Sequence, residues 1–310
     1  MAEEIIKALP YIGYTQSANT LFHFMKKKDY LEEILENRAL IPRYCVEDVE
    51  YLDIIVGDKK FDRIAILQKC FCDIHFHKLS DTFEAQVIDE DENLLSDEEK
   101  KELAKTNTHM DYYGAYAIAF SKEWGEKNGL QPVHYLNKDS VYTTNLNKLF
   151  NKVINSDDVE DLYADDVLER LSFIKPLRGK MGRTLSNGKK VNLYKNFCDE
   201  REWRYVPSSD QLMKVDFETA VIAGEDELEA LVESKFRGTN INEKLNKEQY
   251  RGLWLTFEYN DIRYIIVPDS HARSSIIDYI CNISDGQFKE REREVLISKI
   301  LVLNEMRKDW

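Results

Sequence analysis

Asn196-Phe197-Cys198-Asp199-Glu200-Arg201-Glu202-Trp203-Arg204-Tyr205-Val206-Pro207 is dense in charge and carries an aromatic every few residues. Read as a strand, alternation puts Glu200, Glu202 and Arg204 on one face and Arg201, Trp203 and Tyr205 on the other. Two carboxylates and a guanidinium on one face are costly to bury unless they pair or bind something. The stretch is therefore either a solvated sheet edge with an ion-pair ladder or the strand that carries the function. The rest of the chain has to decide.

Around it, 43% hydrophobic and 11% aromatic residues allow a sizeable core in a chain of 310 residues. Such a composition belongs to a folded globular protein. The formal net charge is −14, which repels phosphate backbones and argues against autonomous nucleic-acid binding. Residues 175–195 form the compact basic run, with Arg178, Lys180, Arg183, Lys189 and Lys190, read as a loop leading into the opening stretch. Five cysteines without framework spacing fit a reducing cytoplasm. No secretory signal and no apolar run of the roughly 20 residues that span a bilayer is visible. A cytoplasmic protein without membrane attachment is expected.

Taken in order, residues 20–24 read as a short apolar strand. Asp29 reads as the N-cap of a helix over 30–37, where Leu31, Ile34 and Leu35 recur at helical spacing. A second strand is expected at 68–76. Residues 84–108, mostly Asp, Glu, Lys and Asn, read as an exposed acidic insertion, helical at 96–105. Residues 112–120 read as a buried strand, followed by a helix over 122–127 capped by Ser121. Another short strand is expected at 132–136, and helix over 146–171, broken at 156–161. Residues 253–259 and 262–267 flank Asn260-Asp261 as a hairpin. Residues 270–281 read as an amphipathic helix, and 296–303 has an ambiguous period. Without regular βαβ alternation or a visible boundary, the chain reads as a single elaborated α+β domain, residues 1–310.

Most motif chemistry is excluded. Cys70-Phe71-Cys72-Asp73-Ile74-His75-Phe76-His77 contains two thiols and two imidazoles, but alternation separates Cys70 and Cys72 from Asp73, His75 and His77. No metal site is expected. Cys45 or Cys72 with a histidine remains open as a nucleophilic pair. No GxSxG, HExxH, Walker-type or GxGxxG pattern occurs, and the acidity of Gly224-Glu225-Asp226 opposes a phosphate loop.

Leu21-Phe22-His23-Phe24, the helix after it, and Pro42-Arg43-Tyr44-Cys45 resemble the start of the AbiGi family of abortive phage-infection proteins. In order follow Cys70-Phe71-Cys72-Asp73-Ile74, the block from Tyr113-Gly114 through Tyr116, Ile118 and Phe120-Ser121-Lys122-Glu123-Trp124, and Asp199 through Pro207; Tyr264-Ile265-Ile266-Val267-Pro268 also fits. The resemblance implies phage defence, in a family described as the antitoxin-like partner of a two-gene system. It supplies no reaction.

More distantly, a histidine on an opening strand and a late Glu-x-Glu strand are similar to ADP-ribosyltransferase-like domains of the DarT type. This similarity implies a mixed, largely antiparallel split sheet flanked by helices, and NAD as substrate. It further implies His23 at the adenosine-side ribose, Tyr113 or Tyr116 at the nicotinamide pocket, and Glu202 at the nicotinamide ribose. Glu200 would be the second carboxylate, and Arg43 or Arg178 would take the pyrophosphate. A fixed carboxylate opposite the ribose stabilises the oxocarbenium character that develops as the glycosidic bond breaks.

Two readings follow. One is an NAD-dependent ADP-ribosyltransferase or NAD glycohydrolase in phage defence. The alternative is a non-catalytic antitoxin or regulatory protein binding a cognate toxin or phage-derived protein, with 84–108 as docking element; absence of a Ser-Thr-Ser element and the nearness of Arg204 to Glu202 favour it. A DNA-binding repressor is disfavoured by charge. Convergence of His23 and Glu202 in one concavity would favour the enzyme, and consumption of Glu202 by Arg204 the regulator.

Overall fold

The computed structural model describes residues 18–79, 85–88, 95–155, 166–167, 169–223 and 241–308. The opening strand β1 spans Thr20–Met25, and α1, Lys28–Asn37, follows it. Helix α1 starts one residue before Asp29, with no side-chain cap from Lys27. Asp29 instead sits in the first turn, where a negative charge suits the helix dipole. Strand β2 is Arg43–Asp48 and β3 is Arg63–Cys72. β3 begins earlier than the sequence suggested and ends at Cys72. There the Asp73 amide turns to the Arg201 carbonyl at 3.0 Å and its carboxylate meets Lys122 at 2.6 Å.

Helix α2, Asp97–Lys105, is fixed by a capping box between Ser96 and Glu99. The expected exposure of this segment is only partial. Leu95 and Leu103 are buried against Leu185, Val191 and Leu193. Tyr112 and Tyr113 fall in a short helix α3, His109–Tyr113, rather than in a strand. Asp111 caps its start through Thr108, and Gly114 breaks it with φ +107°. Strand β4 then runs Tyr116–Ser121, and α4, Lys122–Lys127, is capped by the Ser121 side chain as expected. The expected strand at 132–136 divides. Gln131–Pro132 pairs with the opening stretch, and His134–Leu136 runs parallel to Ile174–Pro176. Helix α5, Val141–Ile154, starts earlier than expected because Ser140 caps it, and Arg170–Phe173 is a 3-10 turn. The expected break at 156–161 and the Gly224-Glu225-Asp226 loop lie outside the described residues.

The basic run is a hairpin, not a loop: β5, Arg178–Thr184, pairs antiparallel with β6, Lys190–Asn196, across a turn where Gly188 has φ +84°. The quoted stretch is a strand only in part. Phe197–Glu200 is a 3-10 turn, Arg201 is left-handed at φ 45°, and β7 begins at Glu202 and ends at Tyr205. The hairpin read at Asn260-Asp261 does not form. Asp261 caps a 3-10 turn by accepting from the Glu258 amide at 2.8 Å, and neither turn residue has the positive φ a tight hairpin needs. Leu255–Thr256 pairs instead with Ala39–Leu40, while β8, Ile262–Val267, joins the main sheet. Helix α6, Ser270–Asn282, follows. The ambiguous last segment is both elements: α7, Glu292–Ser298, then β9, Ile300–Val302.

The main sheet runs β9-β8-β4-β1-β3-β7 and continues to Gln131–Pro132. Neighbours are antiparallel except the parallel pair β8–β9. This is a mixed α+β, mostly antiparallel fold. One face of β4 and β8 buries Ile118, Phe120 and Ile265 against Leu31 and Leu35 of α1 and Ile276 and Ile280 of α6. The other buries Ala117, Ala119 and Ile266 with Phe22 and Met110. β1 follows β4 along its length but meets β3 only at Phe22 opposite Cys72. β2 occupies the same edge of β3 from Gln68 down to Arg63. Between Gln68 and Cys72 that edge has no partner strand among the described residues, and the sheet opens there.

Gly114 holds the chain at the start of this opening. A Cβ on it would lie 2.1 Å from the Met25 carbonyl oxygen, a backbone atom of β1, at a φ that L-residues rarely adopt. Gly114→Ala is expected to destabilise the protein by about 2–4 kcal/mol, measured as a lowered urea midpoint with unchanged slope; an unchanged midpoint would show that β1 can yield.

Candidate functional site

A cavity of 340 Å³ occupies the opening between β1, β2 and β3. His23, Arg43, Tyr113, Glu200 and Glu202, all singled out in the sequence, line it together. His23 spans the strandless edge: its Nδ1 is 2.8 Å from the Cys70 carbonyl oxygen. Burial, with the charge of Lys69 nearby, lowers its pKa to about 3, so the ring is neutral at pH 7. A carbonyl only accepts, so the proton sits on Nδ1 and Nε2 is left as an acceptor.

The floor of the cavity is a chain of alternating charges. Glu47 accepts from Arg204 Nη2 at 2.9 Å, and Arg204 Nε donates to Glu202 Oε1 at 2.7 Å. Lys175 bridges Glu202 Oε2 at 2.9 Å and Glu200 Oε2 at 2.8 Å. Glu200 Oε1 then accepts from Lys195 at 2.7 Å and from the Tyr113 hydroxyl. Arg204 also donates to the Ser172 carbonyl at 2.9 Å and is fully buried, as is Lys195. β7 presents Glu202 and Arg204 on one face opposite Cys72 and Cys70 of β3. Glu200 reaches the same face although it lies outside the strand, because the left-handed Arg201 turns the chain between them.

Three carboxylates and three cations leave this chain neutral. Burial alone would push the Glu200 and Glu202 carboxyls up, but Lys175 and Lys195 for Glu200, and Arg204 and Lys175 for Glu202, outweigh it and hold both well below the usual range. Two more cations line the cavity outside the chain. Arg43 meets Glu33 at 3.7 Å and Asn246 more closely, and Lys69 has no ion-pair partner among the described residues. Burial, and then Arg43, lower Lys69 to about 8. The cavity thus suits an anion.

The remaining expected residues lie elsewhere. Tyr116 packs with the core on the α1 side of the sheet, on the face that Ile118 and Phe120 share. Arg178 is exposed on β5, beside a separate 290 Å³ depression with Asn137, Asp139 and Tyr194. Alternation sends it outward, while Lys195 of the same hairpin points in. Burial disfavours the thiolate that the open nucleophilic-pair reading needs, pushing the Cys45 thiol to about 11 and Cys72 well above the usual value. Among the described residues no cluster of three or more His, Cys, Asp or Glu side chains could hold a metal, and no helix is long and apolar enough to cross a membrane.

Sequence reasoning missed Lys175, Lys195, Glu47 and Gln68 as members of the site. Lys195 had a signal, since it continues the inward alternation of Val191 and Leu193. Glu47 and Gln68 had none, because their importance comes from an arginine 157 residues away from Glu47.

The chain matches the family model described as "abortive phage resistance protein AbiGi, antitoxin" over residues 95–268. It is also similar to the abortive phage resistance protein AbiGi of Lactococcus lactis subsp. cremoris, 35% identical over 284 residues, which is 88% of this chain and 100% of that protein. No solved structure matches.

Two outcomes are expected of the site itself. Arg204→Met strands Glu47 and Glu202 without their shared cation and is expected to cost about 3–5 kcal/mol in chemical denaturation; a loss under 1 kcal/mol would mean that water replaces the guanidinium. For pH, the depressed carboxyls of Glu200 and Glu202 contribute stability that is complete above their ordinary pKa of 4.5 and is lost as pH falls toward their folded values. The melting temperature is therefore expected to drop below about pH 4.5, and less steeply in Glu200→Gln.

Proposed function

The chain belongs to the AbiGi family of abortive phage resistance proteins, and from that premise we propose that it acts in phage defence by binding NAD in this cavity and cleaving the nicotinamide–ribose bond, in the manner of ADP-ribosyltransferase-like domains. The observation that carries this reading is the convergence of His23, Arg43, Tyr113, Glu200 and Glu202, drawn from distant segments, in one anion-suited cavity. NAD here is the substrate. Arg43 and Lys69 would take the pyrophosphate charge, and His23 Nε2 would accept from a ribose hydroxyl. Glu202 would stabilise the ribosyl cation as neutral nicotinamide leaves. The acceptor, water or a nucleophile on a target, then forms the new bond to that carbon and releases a proton. Glu202 is fixed and ionised, as electrostatic stabilisation needs, and its two oxygens offer about four lone-pair sites, of which Arg204, Lys175 and the Cys70 thiol take one each.

The same pairing favours the second reading. A carboxylate already compensated by Arg204 and Lys175 opposes a developing cation less strongly than an isolated one. A regulatory antitoxin that keeps the cavity for ligand or partner recognition, without turnover, accords with the antitoxin description of the matched family. Its partner would be a cognate toxin or a phage-derived protein, in the cytoplasm.

Nicotinamide release by the purified protein separates the two. Under the enzymatic reading, Glu202→Gln lowers release by about 100-fold or more while NAD still binds, and cells carrying the variant lose phage resistance. No release from either protein in the presence of phage lysate would favour the regulator, and equal release from both would overturn the role given to Glu202.

A further inference from the structure

Gln68 is 1% exposed and lines the cavity, yet its side chain is only half satisfied. Its Nε2 donates to Glu47 Oε1 at 2.8 Å, and its Oε1 is buried with no hydrogen-bond partner among the described residues. The amide cannot be flipped to cure this, because Nε2 is needed as the donor to a carboxylate. A buried acceptor left unpaired is destabilising and rare, and here it belongs to a residue that lines the space a ligand would fill. Next along β3 is Lys69, which alternation turns to the other face of the strand but which lines the same cavity and has no ion pair among the described residues; opposite Gln68 on β2 is Arg43. An acceptor that lacks a donor and two cations outside the neutral chain are the complement of one kind of group: an anion attached to something that carries a hydroxyl or amino proton.

We propose that Gln68, Lys69 and Arg43 form a sugar-phosphate subsite, in which Lys69 and Arg43 bind a phosphate and Gln68 Oε1 accepts from a hydroxyl of the attached ribose. The proposal deepens the NAD reading, since it assigns recognition of the ADP-ribose portion to residues apart from Glu200 and Glu202. Gln68 is a specificity-determining residue here. It takes no part in breaking the bond. Lys69 also gives the subsite a pH response. Its charge falls away as pH rises through about 8, with Arg43 adjacent and His23, Glu33, Cys45 and Cys70 also facing it.

The test uses the full-length protein, with ADP-ribose and inorganic pyrophosphate as titrants by calorimetry and a parallel thermal melt without ligand. Gln68→Met removes the stranded acceptor at similar volume. It is expected to weaken ADP-ribose about tenfold, to leave pyrophosphate unchanged, and to leave the unliganded melting temperature equal or higher. Lys69→Met is expected to weaken both titrants about tenfold and to abolish the fall in affinity as pH rises through 8. A Gln68→Met protein that binds ADP-ribose as wild type does, or that loses both titrants equally, overturns the proposal, as does wild type that binds neither. Gln68-dependent ADP-ribose binding without nicotinamide release supports the subsite and rejects cleavage. Nicotinamide release with an unaltered KM in Gln68→Met does the reverse.

Discussion

The opening of the sheet depends on Arg204. Its guanidinium is fully buried and holds Glu202, Glu47 and the Ser172 carbonyl at once. A charge so placed is tolerated only when its partners are placed with it. β7, β2 and the turn at Arg170–Phe173 are thereby fixed relative to one another around one planar group. Lys175 extends the same constraint to Glu200, and Lys195 carries it into the hairpin of β5 and β6. Apolar contacts alone do not demand so particular an arrangement, because they are non-directional.

This network explains why a cavity persists in the middle of a packed sheet. A sheet that closed β1 onto β3 along its length would bury the gap and bring the backbone edge of Lys69 to Phe71 under a strand. Instead His23 donates to the Cys70 carbonyl where that edge has no partner strand among the described residues. One side of the opening is polar and charge-balanced. The other carries Phe24 and Phe71, with His109 and Tyr113 tilted by 41° against each other at 4.6 Å between centroids. A wall of aromatic faces opposite a floor of hydrogen-bonding groups suits a ligand with flat rings and charged, hydroxylated links. The same floor moderates the chemistry, since each carboxylate that would stabilise positive charge already has cations in contact.

Much of the fold was legible because it follows local rules. Period located α1 and α6, and Ser121 caps α4 as its position suggests. The failures have two causes. Tyr112 and Tyr113 look like strand residues, but a capping box before them and Gly114 after them make a helical turn. Asn260-Asp261 looks like a hairpin turn, but its flanking segments find different partners. In the first case one local signal outweighed another, and in the second tertiary pairing overrode local propensity.

The sequence by itself determined the identity of the chemical groups: a histidine on the first strand, a Glu-x-Glu with a nearby arginine, a basic run before it, and the ordered blocks of the AbiGi family. It also determined, through alternation, that Glu202 and Arg204 share a face. The tertiary structure decided that Arg43 and Tyr113 join them while Tyr116 and Arg178 do not, and that Lys175, Lys195, Glu47 and Gln68 complete the site. The physical reason is range. Periodicity and capping act within a few residues, whereas a buried charge chooses its partner by proximity in the folded chain, as Arg204 does with Glu47.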